Sequence, residues 1–108
     1  MKRGDVVTVA VAGDYGKPRP AVVVQTDLLN RTHASVVVCL VTSLLVDAPL
    51  LRLTVEPSPR NGLRRRSQIM ADKVVSVRRD KIGAVVGALD DETMLGLSRA
   101  LAFVMGMG

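Results

Sequence analysis

Three short valine-rich runs fill much of the first 41 residues: VVTVAV at 6–11, AVVVQT at 21–26 and SVVVCLV at 35–41. β-Branched side chains lose rotamer freedom in a helix and pack well on a pleated surface, so runs of this kind favour strands. Gly4-Asp5 and Gly13-Asp14 bound the first run, and GKPRP at 16–20 leads into the second. The third is apolar enough to be buried on both faces. A chain that begins this way is committed to a sheet.

The remainder continues in short pieces. Residues 50–55 (LLRLTV) alternate around Arg52 and Thr54, as a half-exposed strand does. Residues 56–66 (EPSPRNGLRRR) hold two prolines, Asn61-Gly62 and four arginines, and read as a loop with a tight turn. Residues 67–70 and 74–77 read as two short strands separated by Ala71-Asp72-Lys73, residues 78–81 as a basic turn, and 83–87 as another short strand. The pattern then changes. Asp90, Asp91 and Glu92 place negative charge where a helix begins, Met94, Leu97, Leu101 and Val104 recur at helical spacing, and Gly106 is a stop signal. Many short strands and one closing helix predict a mainly β fold, a small barrel or strongly coiled sheet with the helix packed on it.

A length of 108 residues predicts one domain, 1–108. A monomer of this size buries a limited share of its surface, which favours oligomerisation. Tyr15 and Phe103 are the only aromatic residues, so the core is aliphatic and base-stacking platforms are scarce. The net charge of +5 favours a polyanionic partner. No apolar run reaches the roughly 18 residues of a membrane span. Lys2 and Arg3 are followed by Asp5 and not by a cleavable apolar region, so no signal peptide is expected. A single cysteine, Cys39, allows no intramolecular disulfide and fits a reducing cytoplasm. His33 is the only histidine, which leaves no clustered metal ligands and rules out a two-histidine ribonuclease.

Arg19 stands between Pro18 and Pro20. It is either an exposed loop residue or a guanidinium aimed by two neighbours of fixed φ, whose planar fork suits a phosphate gaining charge as it reacts. Thr42 and Ser43 close the third run, as small hydroxyl residues often do, and matter chemically only if they lie beside Arg19. Asp72 is placed as a turn former would be. Arg60, Arg64, Arg65 and Arg66 form either a solvated loop or a polyanion contact.

With those residues in view, the sequence resembles the MazF/PemK family of toxins from type II toxin–antitoxin systems. The resemblance runs through KRGDVVTV at 2–9, RPAVVVQTD at 19–27, VTS at 41–43, SQIMADKVVSV at 67–77 and LDDETMLGLSRAL at 89–101, in the family's order. It implies an SH3-like β-barrel with a C-terminal helix, working as a cytoplasmic homodimer. It also implies a metal-independent, sequence-specific endoribonuclease, an mRNA interferase, cutting single-stranded RNA by 2′-OH attack. An acidic MazE-like antitoxin is the implied protein partner, and no cofactor is implied. Arg19 and Thr42 match the family's catalytic arginine and threonine, and Asp72 matches a third catalytic position. Met70 stands where some members carry the arginine of an Arg-x-Asp, which shifts the acid role toward Arg19. Lys17, Ser43, Arg60, Arg64, Arg65 and Arg66 are then candidate RNA contacts. The loop at 12–19 is shorter than in many members, so base preference does not carry over.

Two other classes share such a fold. A CcdB-like gyrase poison relies on a C-terminal surface that usually bears a tryptophan, and this sequence has none. A barrel used only for binding needs neither Arg19 nor Thr42.

Overall fold

The computed structural model describes residues 1–11 and 17–108. In chain order the elements are β1 (Asp5–Val9), β2 (Arg19–Val23), β3 (Ser35–Thr42), β4 (Arg52–Val55), β5 (Ser67–Arg78), a single 3-10 turn (Arg79–Lys81), β6 (Ile82–Ala88) and α1 (Asp91–Val104). Among the described residues the strands form one antiparallel sheet in the order β4-β5-β3-β2-β1-β6. This is the mainly β fold with a C-terminal helix that the patterning predicts. The sheet curls as a barrel does but keeps β4 and β6 as its edges. The turn signal at Gly13-Asp14, and residues 12–16 of the loop noted as short, lie outside the described residues.

The valine runs are consecutive because both faces of the sheet are buried. Val6, Val22, Cys39, Val41 and Ile69 point to one side, where Leu97 and Ala100 of α1 cover them with Met94 and Leu101 at the margin. Val7, Val9, Ala21, Val23, Val38 and Leu40 alternate to the other side, inside the curl, and meet Val77, Val75 and Ile82 there. Burying such side chains contributes about 1.5–3 kcal/mol each, so two aliphatic layers sustain the fold without aromatic bulk.

The helix begins as its sequence suggests. Asp90 caps it by accepting a hydrogen bond from the Thr93 N–H at 2.7 Å, and Gly106 follows its end at φ +72°. Val104 departs from the expected stripe and is 37% exposed.

Two boundaries differ in ways that bear on function. Arg19 is the first residue of β2 and not part of the loop before it. Pro20 is tolerated inside β2 because pairing with β3 starts only at Ala21, opposite Leu40. Residues 67–78 form one strand, not two: β3 pairs with its first part through Thr42–Gln68 and Val41–Ile69, then with its second part from Cys39–Val74 onward. The register shift between these parts is absorbed around residues 70–73, so Asp72 sits on a bulged strand and not in a turn.

Candidate functional site

Arg19 lies just before the part of β2 that pairs with β3, and Thr42 closes β3 beside it, in one cleft. β2 and β3 pair as Val23–Val38, Val22–Cys39 and Ala21–Leu40, and the same register extended by two residues puts Arg19 across from Thr42. Thr42 in turn pairs with Gln68 of β5, and Gln68 with Thr54 of β4. One row of residues thus crosses four strands. The Gln68 and Thr54 side chains line a separate pocket with Val46 and Arg52, while Arg19 and Thr42 share a cleft of their own.

Arg19 is half-buried and donates through Nη2 to the carbonyl oxygen of Val41 at 3.3 Å, among its interactions. Thr42 Oγ1 accepts from the Leu44 N–H at 3.1 Å, and a hydroxyl that accepts in this way keeps its O–H as a donor. Both line a cleft of about 680 Å³. Lys17, Ser43, Arg64 and Arg65 line it too, with Thr8 and Val86 among its other walls. Among the described lining residues four are cations and none is a carboxylate, histidine or cysteine. The chemistry such a cleft offers is electrostatic: it attracts a polyanion and stabilises added negative charge.

The arginine loop owes its shape to a buried residue that composition does not single out. Asn61 accepts from the N–H groups of Ser58 and Leu63, each at 3.0 Å, and donates to the Glu56 carbonyl at 2.9 Å. Gly62 follows at φ +70°, and a Cβ there would lie 2.2 Å from the carbonyl oxygen of Val86. A Cβ on Gly87 would lie 2.3 Å from the Asn61 carbonyl carbon. Loop and β6 therefore meet backbone to backbone, which only glycine permits. The contact fixes where Arg64 and Arg65 emerge.

Three residues expected at the site, Arg60, Arg66 and Asp72, are not among those lining this cleft. Arg66 pairs with Glu56 at 2.8 Å. Asp72 receives both Nε and Nη2 of Arg52, at 2.9 and 3.2 Å. That hydrogen bond holds its carboxyl below the usual carboxylate range against a smaller opposing effect of burial. A carboxylate held ionised by a fork from the neighbouring strand is a clasp between β4 and β5, and it too is absent from the cleft lining. Cys39 is buried, and burial pushes its thiol up to about 12, which removes it as a nucleophile. Among the described residues no group of three or more His, Cys, Asp or Glu side chains could hold a metal ion.

A family model described as a PemK-like, MazF-like toxin of type II toxin–antitoxin systems matches residues 2–105. The chain belongs to this toxin family. The toxin is 44% identical over 108 residues to a Mycolicibacterium smegmatis protein named probable endoribonuclease MazF, covering 99% of this chain and 98% of that protein. It is 27% identical over 111 residues to endoribonuclease EndoA of Bacillus subtilis, covering 99% and 96%. Among solved structures, an endoribonuclease in complex with its cognate antitoxin from a mycobacterial species aligns with a TM-score of 0.84. That alignment covers 100% of the toxin and 97% of the solved chain at 25% identity. No helix of the described toxin is long and apolar enough to cross a membrane.

Proposed function

We propose that this toxin is a metal-independent endoribonuclease that cuts single-stranded RNA at the cleft between Arg19 and Thr42. The observation that supports the reading is that Arg19 and Thr42 line one cleft with Lys17, Arg64 and Arg65, with Arg19 bonded to the carbonyl of Val41, the residue before Thr42. The ribose 2′-OH attacks the adjacent phosphorus, the P–O5′ bond breaks, and the products are a 2′,3′-cyclic phosphate and a 5′-OH. Arg19 stabilises the dianionic phosphorane as it forms, and Thr42 donates a hydrogen bond that orients the phosphate. The 2′-OH proton passes to solvent water, Arg19 donates a proton to the leaving O5′ on this reading, and solvent then restores the guanidinium. Lys17, Arg64, Arg65 and Ser43 hold the strand. We assign no chemical step to Asp72, and none of the RNA contacts to Arg60 or Arg66.

The relatives' names support this reading, and the cationic cleft is suited to an acidic antitoxin that competes with RNA for the same surface. The single buried thiol fits work in the cytoplasm. Phe103 and Met105, 52% and 55% exposed beyond the packed part of α1, fit a homodimer. Incubating purified toxin with a long single-stranded RNA in excess chelator tests the activity. Cleavage to fragments with 5′-OH ends is the expected result. Activity that disappears in chelator and returns with a divalent metal contradicts it.

A further inference from the structure

Thr42, which lines the cleft with Arg19, pairs with Gln68, a polar residue only 5% exposed beside the apolar Ile69, Met70 and Ala71 of β5. Its backbone is the partner of Thr42, the last residue of β3. Its carboxamide accepts from the Val46 N–H at 3.1 Å and donates to the Val46 carbonyl at 2.9 Å. The same nitrogen also donates to Thr54 Oγ1 at 3.2 Å. The chain therefore leaves Gln68 at Thr42 and returns to it at Val46. The residues between them include Ser43, which lines the cleft, and Leu44, whose N–H is held by Thr42 Oγ1.

From this closure we infer that Gln68 is a positioning residue for the cleavage site, one that fixes the Thr42–Ser43 turn by serving as a side-chain rung at Val46. A strand would normally satisfy both polar groups of such a residue; here one amide does it from a buried position. A carboxamide is the side chain able to donate and accept toward a single residue without carrying charge into a site this enclosed. Val46 is 46% exposed, so water can replace these bonds when the amide is removed. Removing it thus loosens the turn more than it weakens the fold. A small displacement of a catalytic hydroxyl is costly in rate, since a misplacement of ~1 Å can cost 100-fold.

The inference rests on the role proposed for Thr42, and two readouts keep the ideas separable. Gln68→Leu keeps the size and removes every bond to Val46. Single-turnover cleavage should fall about 10- to 100-fold, while affinity for RNA with a 2′-deoxy scissile site stays within about twofold. Backbone amide exchange at Leu44 and Val46 should accelerate, with no change in the core of β5. Gln68→Glu adds a readout that a purely structural role would not move. A protonated carboxyl reproduces the amide's donor and acceptor, so its cleavage relative to wild type should improve as pH falls. Wild-type cleavage in folded Gln68→Leu overturns the inference, as does unchanged exchange at Val46. If wild-type toxin cuts no RNA, the functional proposal fails, and the exchange measurement still decides whether Gln68 orders the turn.

Discussion

Arg19 of β2 donates through Nη2 to the carbonyl of Val41 on β3, 3.3 Å away, and Val41 is the residue before Thr42. The guanidinium is thereby tied to the strand end that carries the hydroxyl, across a sheet buried on both faces. Charge and donor are held relative to one another by this bond and by the adjoining Ala21–Leu40 pairing. Such preorganisation spares the reorganisation that a flexible cation would undergo as the phosphorane forms.

The arginines of the 56–66 loop should separate into two pairs. Replacing Arg64 and Arg65 by alanine should weaken RNA binding and flatten its salt dependence, by roughly 0.7 in log–log slope for each phosphate that is no longer neutralised. Replacing Arg60 and Arg66 should leave that slope unchanged, since Arg66 is engaged with Glu56 and neither lines the cleft. Affinity titrations across a salt series make the comparison. Equal effects from the two pairs would show a diffuse basic surface in place of a defined cleft.

Asp72 should behave as a structural clasp. Its folded pKa is lowered chiefly by the Arg52 hydrogen bond, so its contribution to stability is present above its ordinary value of 3.8 and lost as pH falls through the folded value. Asp72→Asn should therefore destabilise the toxin at pH 7 by up to about 1 kcal/mol, the range of partly exposed pairs. The gap to wild type should close under acid conditions. Denaturant melts at several pH values measure this. If folded Asp72→Asn loses cleavage by orders of magnitude, the carboxylate takes part in the chemistry after all.

Gly62→Ala and Gly87→Ala should each cost stability, about 1–3 kcal/mol by overpacking alone, with added left-handed strain at residue 62. Both should also weaken RNA binding, because the backbone contact they disturb positions Arg64 and Arg65. Thermal melts and titrations on the same samples test the coupling. Destabilisation with unchanged affinity would mean that the loop's anchoring and its RNA contacts are independent.

Much of this is legible in the residues. The valine runs, the carboxylates before α1 and Gly106 after it each reflect a local preference strong enough to survive folding. Arg19, Thr42, Lys17, Ser43, Arg64 and Arg65 all stand out in the sequence, and the structure gathers them in one cleft. What escapes a linear reading is decided by tertiary pairing. Ala71-Asp72-Lys73 looks like a turn, but pairing on both sides keeps it within one bulged strand, and Arg52 takes its carboxylate. Arg60 and Arg66 are indistinguishable from Arg64 and Arg65 in composition; only the anchored Asn61-Gly62 turn sorts them. Gln68 carries a weak signal, one amide just before the apolar Ile69-Met70-Ala71, whose meaning depends on a loop 22 residues away in sequence.

Single-turnover cleavage by Arg19→Lys, compared with its binding of RNA that has a deoxyribose at the scissile position, tests the central claim most directly. Lysine keeps the charge and loses the planar fork. The rate should fall at least ~100-fold below wild type, with affinity for the uncleavable RNA changed far less because Lys17, Arg64 and Arg65 still hold the strand. Thr42→Ala should show the same split. A folded Arg19→Lys protein that cuts RNA at near wild-type rate would rule out catalysis by the Arg19 fork and return it to an ordinary surface cation.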